Sequence, residues 1–224
     1  MMLDHLITQS FFTVGRQVFQ QVIGIPMGID PAPFWANLYL YYFEETFMTK
    51  LSKNKTERYK GFKFKHVFRF IDDACCLNDN EEFEKRYKEI YPDVLRLKCE
   101  HRGNHATFYD LDITIQNGIF VYKLFDKRDN FPFSIVRMPD LSGNIPEHIF
   151  YGSIYSELLR IARASLRYSD FLSKSRQLKN RMLKQGASIP KLVKTIDKIF
   201  LKNQNTFFSF NTNPSEIKRD LLKH

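Results

Sequence analysis

The chain has 224 residues, 43% of them hydrophobic and 15% aromatic, with 34 Lys and Arg against 25 Asp and Glu. That apolar content suffices for a packed core in one large domain or two small ones and excludes a disordered chain. Three cysteines form neither a paired framework nor a Cys-x-x-Cys knuckle. No apolar run reaches the roughly 18 residues of a membrane span, and the N-terminus lacks a signal peptide's basic flank; the expectation is a soluble intracellular protein, nuclear or cytoplasmic and not secreted, with no membrane partner.

In chain order, apolar positions 2, 3, 6 and 7 predict a short helix over residues 1–10, and Phe11–Val14 with Gln17–Val22 a hairpin around Gly15-Arg16. The hairpin leads into a Gly/Pro-punctuated loop and then a strongly apolar helix over 31–52. Asp30 suits its N-cap, and Pro31 and Pro33 fall in the first turn, where a missing N–H costs nothing. Gly24 and Gly28 let the backbone approach a ligand, and the helix N-terminus offers N–H groups to a phosphate or base pair; a plain loop-to-helix junction looks similar. Trp35, Leu38, Tyr39, Tyr42, Phe43 and Phe47 are dense enough to predict burial on most of the helix circumference. Residues 53–63 read as a Lys- and Asn-rich loop.

Val67, Phe68, Phe70 and Ile71, then Ala74 to Leu77, read as two short apolar strands meeting at Asp72-Asp73. Two adjacent carboxylates at a hairpin tip can hold a divalent cation; a solvated Asp-Asp turn is the alternative. A helix is expected over 80–91 and strands over 95–99, which carries Lys98, and 106–116, where Asp110 and Asp112 are either extra ligands or surface acids. Asn117-Gly118 signals a hairpin to 119–125. The Pro/Gly-punctuated stretch Met138 to Pro146 reads as a domain boundary, followed by amphipathic helices over 155–174, 176–185 and 191–200, broken near Ser175 and at Gly186 to Pro190, and a loose tail with a short helix near 216–222.

Between residues 153 and 203 there are twelve basic residues against three acidic ones, so the chain's whole positive surplus belongs to this segment. A localised positive field is the footprint of a polyanion, with a merely solubilising surface as the alternative. Arg160, Arg163, Arg167, Arg176, Lys179, Arg181 and Lys184 are the candidate nucleic-acid-binding side chains.

Taken together, Gly24-Ile25-Pro26-Met27-Gly28 with Ala32-Pro33 and Ala36-Asn37-Leu38 resembles motif B of the reverse transcriptases, which opens the palm helix, and Phe68-Arg69-Phe70-Ile71-Asp72-Asp73 resembles the aromatic-x-Asp-Asp hairpin of motif C. Phe108 to Ile113 and Gly118 to Lys127 resemble the Leu-Asp strand and following hairpin of eukaryotic retroelement polymerases, most nearly the Penelope-like type. The resemblance runs over roughly residues 10 to 200. It implies an α+β fold: a partial palm, an antiparallel sheet backed by helices, over 1–140, a small helical thumb over 141–203, and a loose tail over 204–224. It also implies two-metal nucleotidyl transfer from a dNTP to a primer 3′-hydroxyl on an RNA template, with two Mg²⁺, or Mn²⁺ in their place.

In that resemblance Asp72 is the indispensable metal ligand, and Asp73 shapes the turn and adds an oxygen donor. Gly24, Pro26, Met27, Gly28, Ala32 and Pro33 form the substrate-binding loop, Met27 serving equally well as core filler. Lys98 is a candidate proton donor to pyrophosphate, or an ordinary surface lysine. The departures are the third carboxylate, which the family takes from a strand upstream of motif B, and the fingers. Asp4 is the only acid before Gly24 and sits in helical spacing, so the expectation is a C-terminal part of a polymerase whose N-terminal segment lies elsewhere. The implied partners are an RNA template with a DNA primer or an RNA–DNA hybrid; the alternatives are an inactive retroelement remnant that binds nucleic acid through its basic bundle and a Mg²⁺-dependent nuclease, which needs a second acid cluster that the sequence lacks.

Overall fold

The computed structural model describes residues 4, 8–26, 28–77, 81–133, 135 and 138–223. The expected helix over 1–10 and the Met27 assignment lie largely or wholly outside them. The fold is α+β, with small antiparallel sheets, in two compact units, residues 1–100 and 101–224. Among the described residues no helix is long and apolar enough to cross a membrane.

The first unit opens with the expected hairpin, β1 (Phe11–Val14) and β2 (Gln17–Gln20), turned at Gly15 with φ 63°. Helix α1 (Ala32–Lys53) follows the loop. Its N-cap is Pro31 with no side-chain bond, so the Asp30 cap is not formed. The expected burial is also corrected: only Ala32, Phe47 and Leu51 are buried, while Phe34, Leu38, Tyr39, Tyr41 and Tyr42 are at least half exposed. Within this unit the helix is packed along its second half, by a 3₁₀ segment (Arg58–His66) where a loop was expected and by α2 (Glu81–Ile90). Between them lies the second hairpin, β3 (Val67–Phe70) and β4 (Asp73–Cys76). Phe47, Leu51, Phe83 and Ile90 form a small core with Phe64, Val67, Tyr91 and Leu97 against it. Residues 95–99, expected as a strand, join no sheet.

The second unit holds a three-stranded sheet in the order β5 (His105–Phe108), β6 (Leu111–Gln116), β7 (Ile119–Leu124). The single strand expected over 106–116 is two strands, because Tyr109 at φ 56° folds β5 back on β6. The Asn117-Gly118 turn forms as expected, with φ 52° and 77°. Five helices follow: α3 (Glu147–Arg163), α4 (Tyr168–Lys184), α5 (Ile189–Lys202), α6 (Gln204–Phe208) and α7 (Pro214–Leu222). The first interhelical break falls at 164–167, not near Ser175, which is buried inside α4. There the Leu166 N–H donates to the Tyr122 carbonyl at 3.2 Å, drawing the backbone out of the helix onto β7.

Two further expectations change for the same reason, burial. Met138 and Leu124 belong to the helical core, and Gln185 donates from its side chain to the Met138 carbonyl at 3.1 Å, so the expected boundary at 140 lies inside this unit. The stretch 204–224 is not loose: Phe207, Phe210, Ile217 and Leu221 are buried in that core. Each such side chain contributes about 1.5–3 kcal/mol, enough to hold two short helices that propensity alone would leave frayed.

Candidate active site and nucleic-acid interface

The β3–β4 register pairs Phe70 with Asp73, so Ile71 and Asp72 form the two-residue turn and Asp73 begins β4. Both carboxylates are exposed, and neither is taken up by a basic side chain among the described residues. Ile71 has φ 53°, a left-handed conformation that a β-branched side chain strongly resists. Such strain, on the order of 1–3 kcal/mol, persists only where the surroundings over-determine it.

Arg69 supplies that determination. Its guanidinium donates to the Ile71 carbonyl at 3.1 Å, to the Asn37 side-chain oxygen at 2.6 Å and its backbone carbonyl at 3.3 Å, and to both Glu44 carboxylate oxygens at 2.5 and 3.1 Å. Tyr91 donates to Glu44 at 2.6 Å, and burial first, then that bond, push its phenol well above its ordinary value. One side chain therefore joins the acidic turn to α1, one helical turn and more beyond the Gly/Pro loop.

In that loop Gly24 and Gly28 have φ 90° and 95°, where any other residue is strained. A Cβ on Gly28 would have no atom within 4 Å, so the space above it is open. Pro26 and Ala32 are buried, and Pro33 is exposed in the first turn of α1. Lys98 is exposed in the irregular stretch after α2, and among the described residues no hydrogen bond or ion pair joins it to the acidic turn. Cys75 and Cys76 follow the acids on β4, where desolvation pushes the Cys76 thiol up to about 11. Among the described residues no three His, Cys, Asp or Glu side chains gather as a metal site.

The second unit sorts the basic residues into two groups. Arg160 is committed to an ion network, 2.8 Å from both Glu157 and Asp110, and Arg128 joins it through Asp126 at 2.5 Å and Glu157 at 3.5 Å. Arg176 donates to the Asp220 carbonyl at 3.0 and 2.7 Å, and Lys179 to the Lys223 carbonyl at 2.9 Å, satisfying the C-terminal carbonyls of α7. Lys179 is buried, and burial, then the Arg176 charge, hold its pKa down. These three of the candidate nucleic-acid-binding side chains are engaged within the fold. Arg163, Arg167 and Lys184 are exposed, and Arg181 is half-buried. Asp110 and Asp112 are also committed, the latter to His105 at 2.5 Å and Lys123 at 3.4 Å.

No family model, curated protein or solved structure matches the chain.

Two features escaped the sequence reading. Lys194, Lys198 and Lys202 form one exposed stripe on α5, visible in the spacings of four and four on an amphipathic helix. Arg69, Glu44 and Tyr91 carried no signal, since an Arg between two phenylalanines and a Glu on a helix are ordinary until the fold brings them together.

Proposed function

We propose that the chain contributes the metal-binding hairpin and base-pair loop of a reverse-transcriptase palm, and that helices of its second unit hold an RNA–DNA hybrid. The observation that supports this reading is the Arg69 fork. The two segments resembling motifs B and C are 32 residues apart in sequence between Asn37 and Arg69, yet one guanidinium ties them together and holds a strained turn beneath two free carboxylates.

Asp72 and Asp73 fit a hard divalent cation. Mg²⁺ is commonly held by one or two carboxylates, its other positions filled by water and substrate phosphate oxygens. Bound there, Mg²⁺ supplies charge neutralisation on a triphosphate and acidifies a coordinated hydroxyl. Asp72 projects from the turn as the principal ligand and Asp73 from the strand beside it. Arg69 holds the Ile71 carbonyl, and with it the direction of both acids. Gly28 leaves open space at the end of the loop for a base pair. Two carboxylates do not position two ions, so full nucleotidyl transfer needs a further acid.

The exposed Arg163, Arg167, Lys184, Lys194, Lys198 and Lys202 support backbone-directed binding of a hybrid duplex. They equally support a second reading, an inactive remnant that only binds nucleic acid. Titration of Mn²⁺ by electron paramagnetic resonance separates the two. Asp72→Asn weakens Mn²⁺ binding by more than about tenfold and Asp73→Asn by less, the scale on which metal sites respond to altered ligands. Equal Mn²⁺ affinity in wild type and Asp72→Asn refutes the palm reading and leaves the remnant.

A further inference from the structure

The structure points to a second nucleic-acid site, in the first unit, which we propose binds single-stranded nucleic acid by stacking its bases on Tyr59 and Phe62. The proposal is independent of the palm reading, since it uses neither Asp72 nor the exposed helices of the second unit.

Residues 1–100 carry 14 basic and 14 acidic residues, so this unit as a whole has no surplus. Residues 50–66 depart from that balance with seven Lys and Arg and one acid, Glu57. The same stretch holds Tyr59, Phe62 and Phe64. Its C-terminal half is the 3₁₀ segment, nine residues long, well beyond the usual three or four.

In a 3₁₀ helix, residues three apart eclipse one another, so the segment has three edges. Phe64 and Gly61 share the edge toward α1: Phe64 packs edge-to-face on Phe47 at 5.3 Å, and a Cβ on Gly61 would lie 3.9 Å from Met48. Lys60 and Lys63 share the edge toward α2, 3.8 and 3.7 Å from Glu82. Tyr59, Phe62 and Lys65 share the third edge. Among the described residues of the unit nothing covers it: Tyr59 is 62% and Phe62 79% exposed, and Lys65 is exposed on the same edge.

Docking of two edges leaves the third facing outward, and the side chains on it are aromatic where solvent alone would favour polar ones. Three residues at about 2.0 Å of rise separate the two backbone positions by roughly 6 Å along the axis, so each ring offers a face of its own to a base. Lys65, on the same edge, and Lys55, just before the segment, are both exposed and match a phosphate backbone. A duplex hides its base faces, whereas an unpaired strand offers them, and each stacked base is worth enough to dominate affinity. A membrane surface needs a long apolar stripe with its cations, and this segment has only two exposed rings.

The test uses the whole 224-residue chain and a short oligothymidylate carrying one 2-aminopurine, whose fluorescence reports stacking. Wild type binds and changes the fluorescence. Tyr59→Ala/Phe62→Ala binds the strand at least about fivefold more weakly and loses the fluorescence change, while binding of an RNA–DNA duplex is unaltered. Tyr59→Phe/Phe62→Tyr retains both. Thermal melting is the same throughout, as expected for exposed side chains. Lys55→Gln/Lys65→Gln keeps the rings and lowers the log–log salt slope for the strand by about 0.7 per lost contact. Unchanged strand affinity in the double-alanine variant overturns the proposal. So does loss of binding to phosphatidylserine–phosphatidylcholine vesicles in that variant with no loss of binding to the strand, which assigns the edge to a membrane.

Discussion

Replacing Arg69 with Met removes the fork while keeping most of its aliphatic bulk. Arg69 is 13% and Glu44 28% exposed, so the pair is neither in the solvent nor in the deep interior. Removing one partner of a fully buried pair costs about 3–5 kcal/mol, and an exposed pair is worth less than about 1. The loss leaves Glu44 with only the Tyr91 hydroxyl and the Ile71 carbonyl without its side-chain donor. Relaxation of the Ile71 backbone returns part of the ~1–3 kcal/mol of strain. The net expectation is about 2–3 kcal/mol, a large share of the stability of a unit whose buried core is four side chains. Trp35, the only tryptophan, sits on α1 near Asn37, so urea unfolding followed by its fluorescence reads this unit selectively. The midpoint falls, and amide hydrogen exchange at residues 71–73 accelerates. Arg69→Lys does not rescue it, because a single ammonium cannot reach Asn37, Glu44 and Ile71 together. An unchanged midpoint with unchanged exchange at the turn would show that the fork does not hold the acidic hairpin.

For Asp126, burial pushes the carboxyl up, but the Arg128 side-chain and backbone bonds outweigh it and hold it at about 2, below the unfolded value near 4. That contribution is complete above pH ~4 and is lost as pH falls toward 2, so Arg128→Met raises the acid-unfolding midpoint of the second unit by circular dichroism; no shift refutes the coupling. Ile217→Ala, in the stretch expected to be loose, costs about 2–5 kcal/mol in thermal unfolding, and a surface-like change under 1 kcal/mol would return that stretch to a tail. Arg176→Gln and Lys179→Gln lower stability and barely change the salt slope of hybrid binding, because their donors serve α7. The triple change Lys194→Gln, Lys198→Gln and Lys202→Gln does the reverse, lowering the slope by about 0.9 per lost contact; equal slopes would remove α5 from the interface.

Most local elements were legible in the residues themselves. Asn117-Gly118 and Gly15-Arg16 carry turn chemistry that acts within a few residues, and their hairpins form where that chemistry places them; the acidic hairpin also forms, with its turn one residue before the acid pair, at Ile71-Asp72. Gly24 and Gly28, read only as places where the backbone can approach a ligand, adopt the left-handed backbone that glycine permits. The elements misread were those in which a distant contact overrides a local preference. Residues 106–116 alternate like one strand, but Leu111 packs toward the helical core and Tyr109 turns to let it. The pattern over 155–174 runs on like one helix, and only the Leu166 bond to Tyr122 breaks it.

An acidic tip between apolar strands was legible in the sequence, but the left-handed Ile71 that shapes it is held through the Arg69 bonds to Asn37 and Glu44, which only the fold assembles. Which cations remain free was decided only by tertiary structure. Arg160, Arg176 and Lys179 are indistinguishable in sequence from Arg163 and Lys184; what separates them is whether folding brings a carboxylate or an orphaned helix carbonyl within hydrogen-bond reach. Charge along a chain is a local property. Its availability to a partner depends on what the fold has already placed against it.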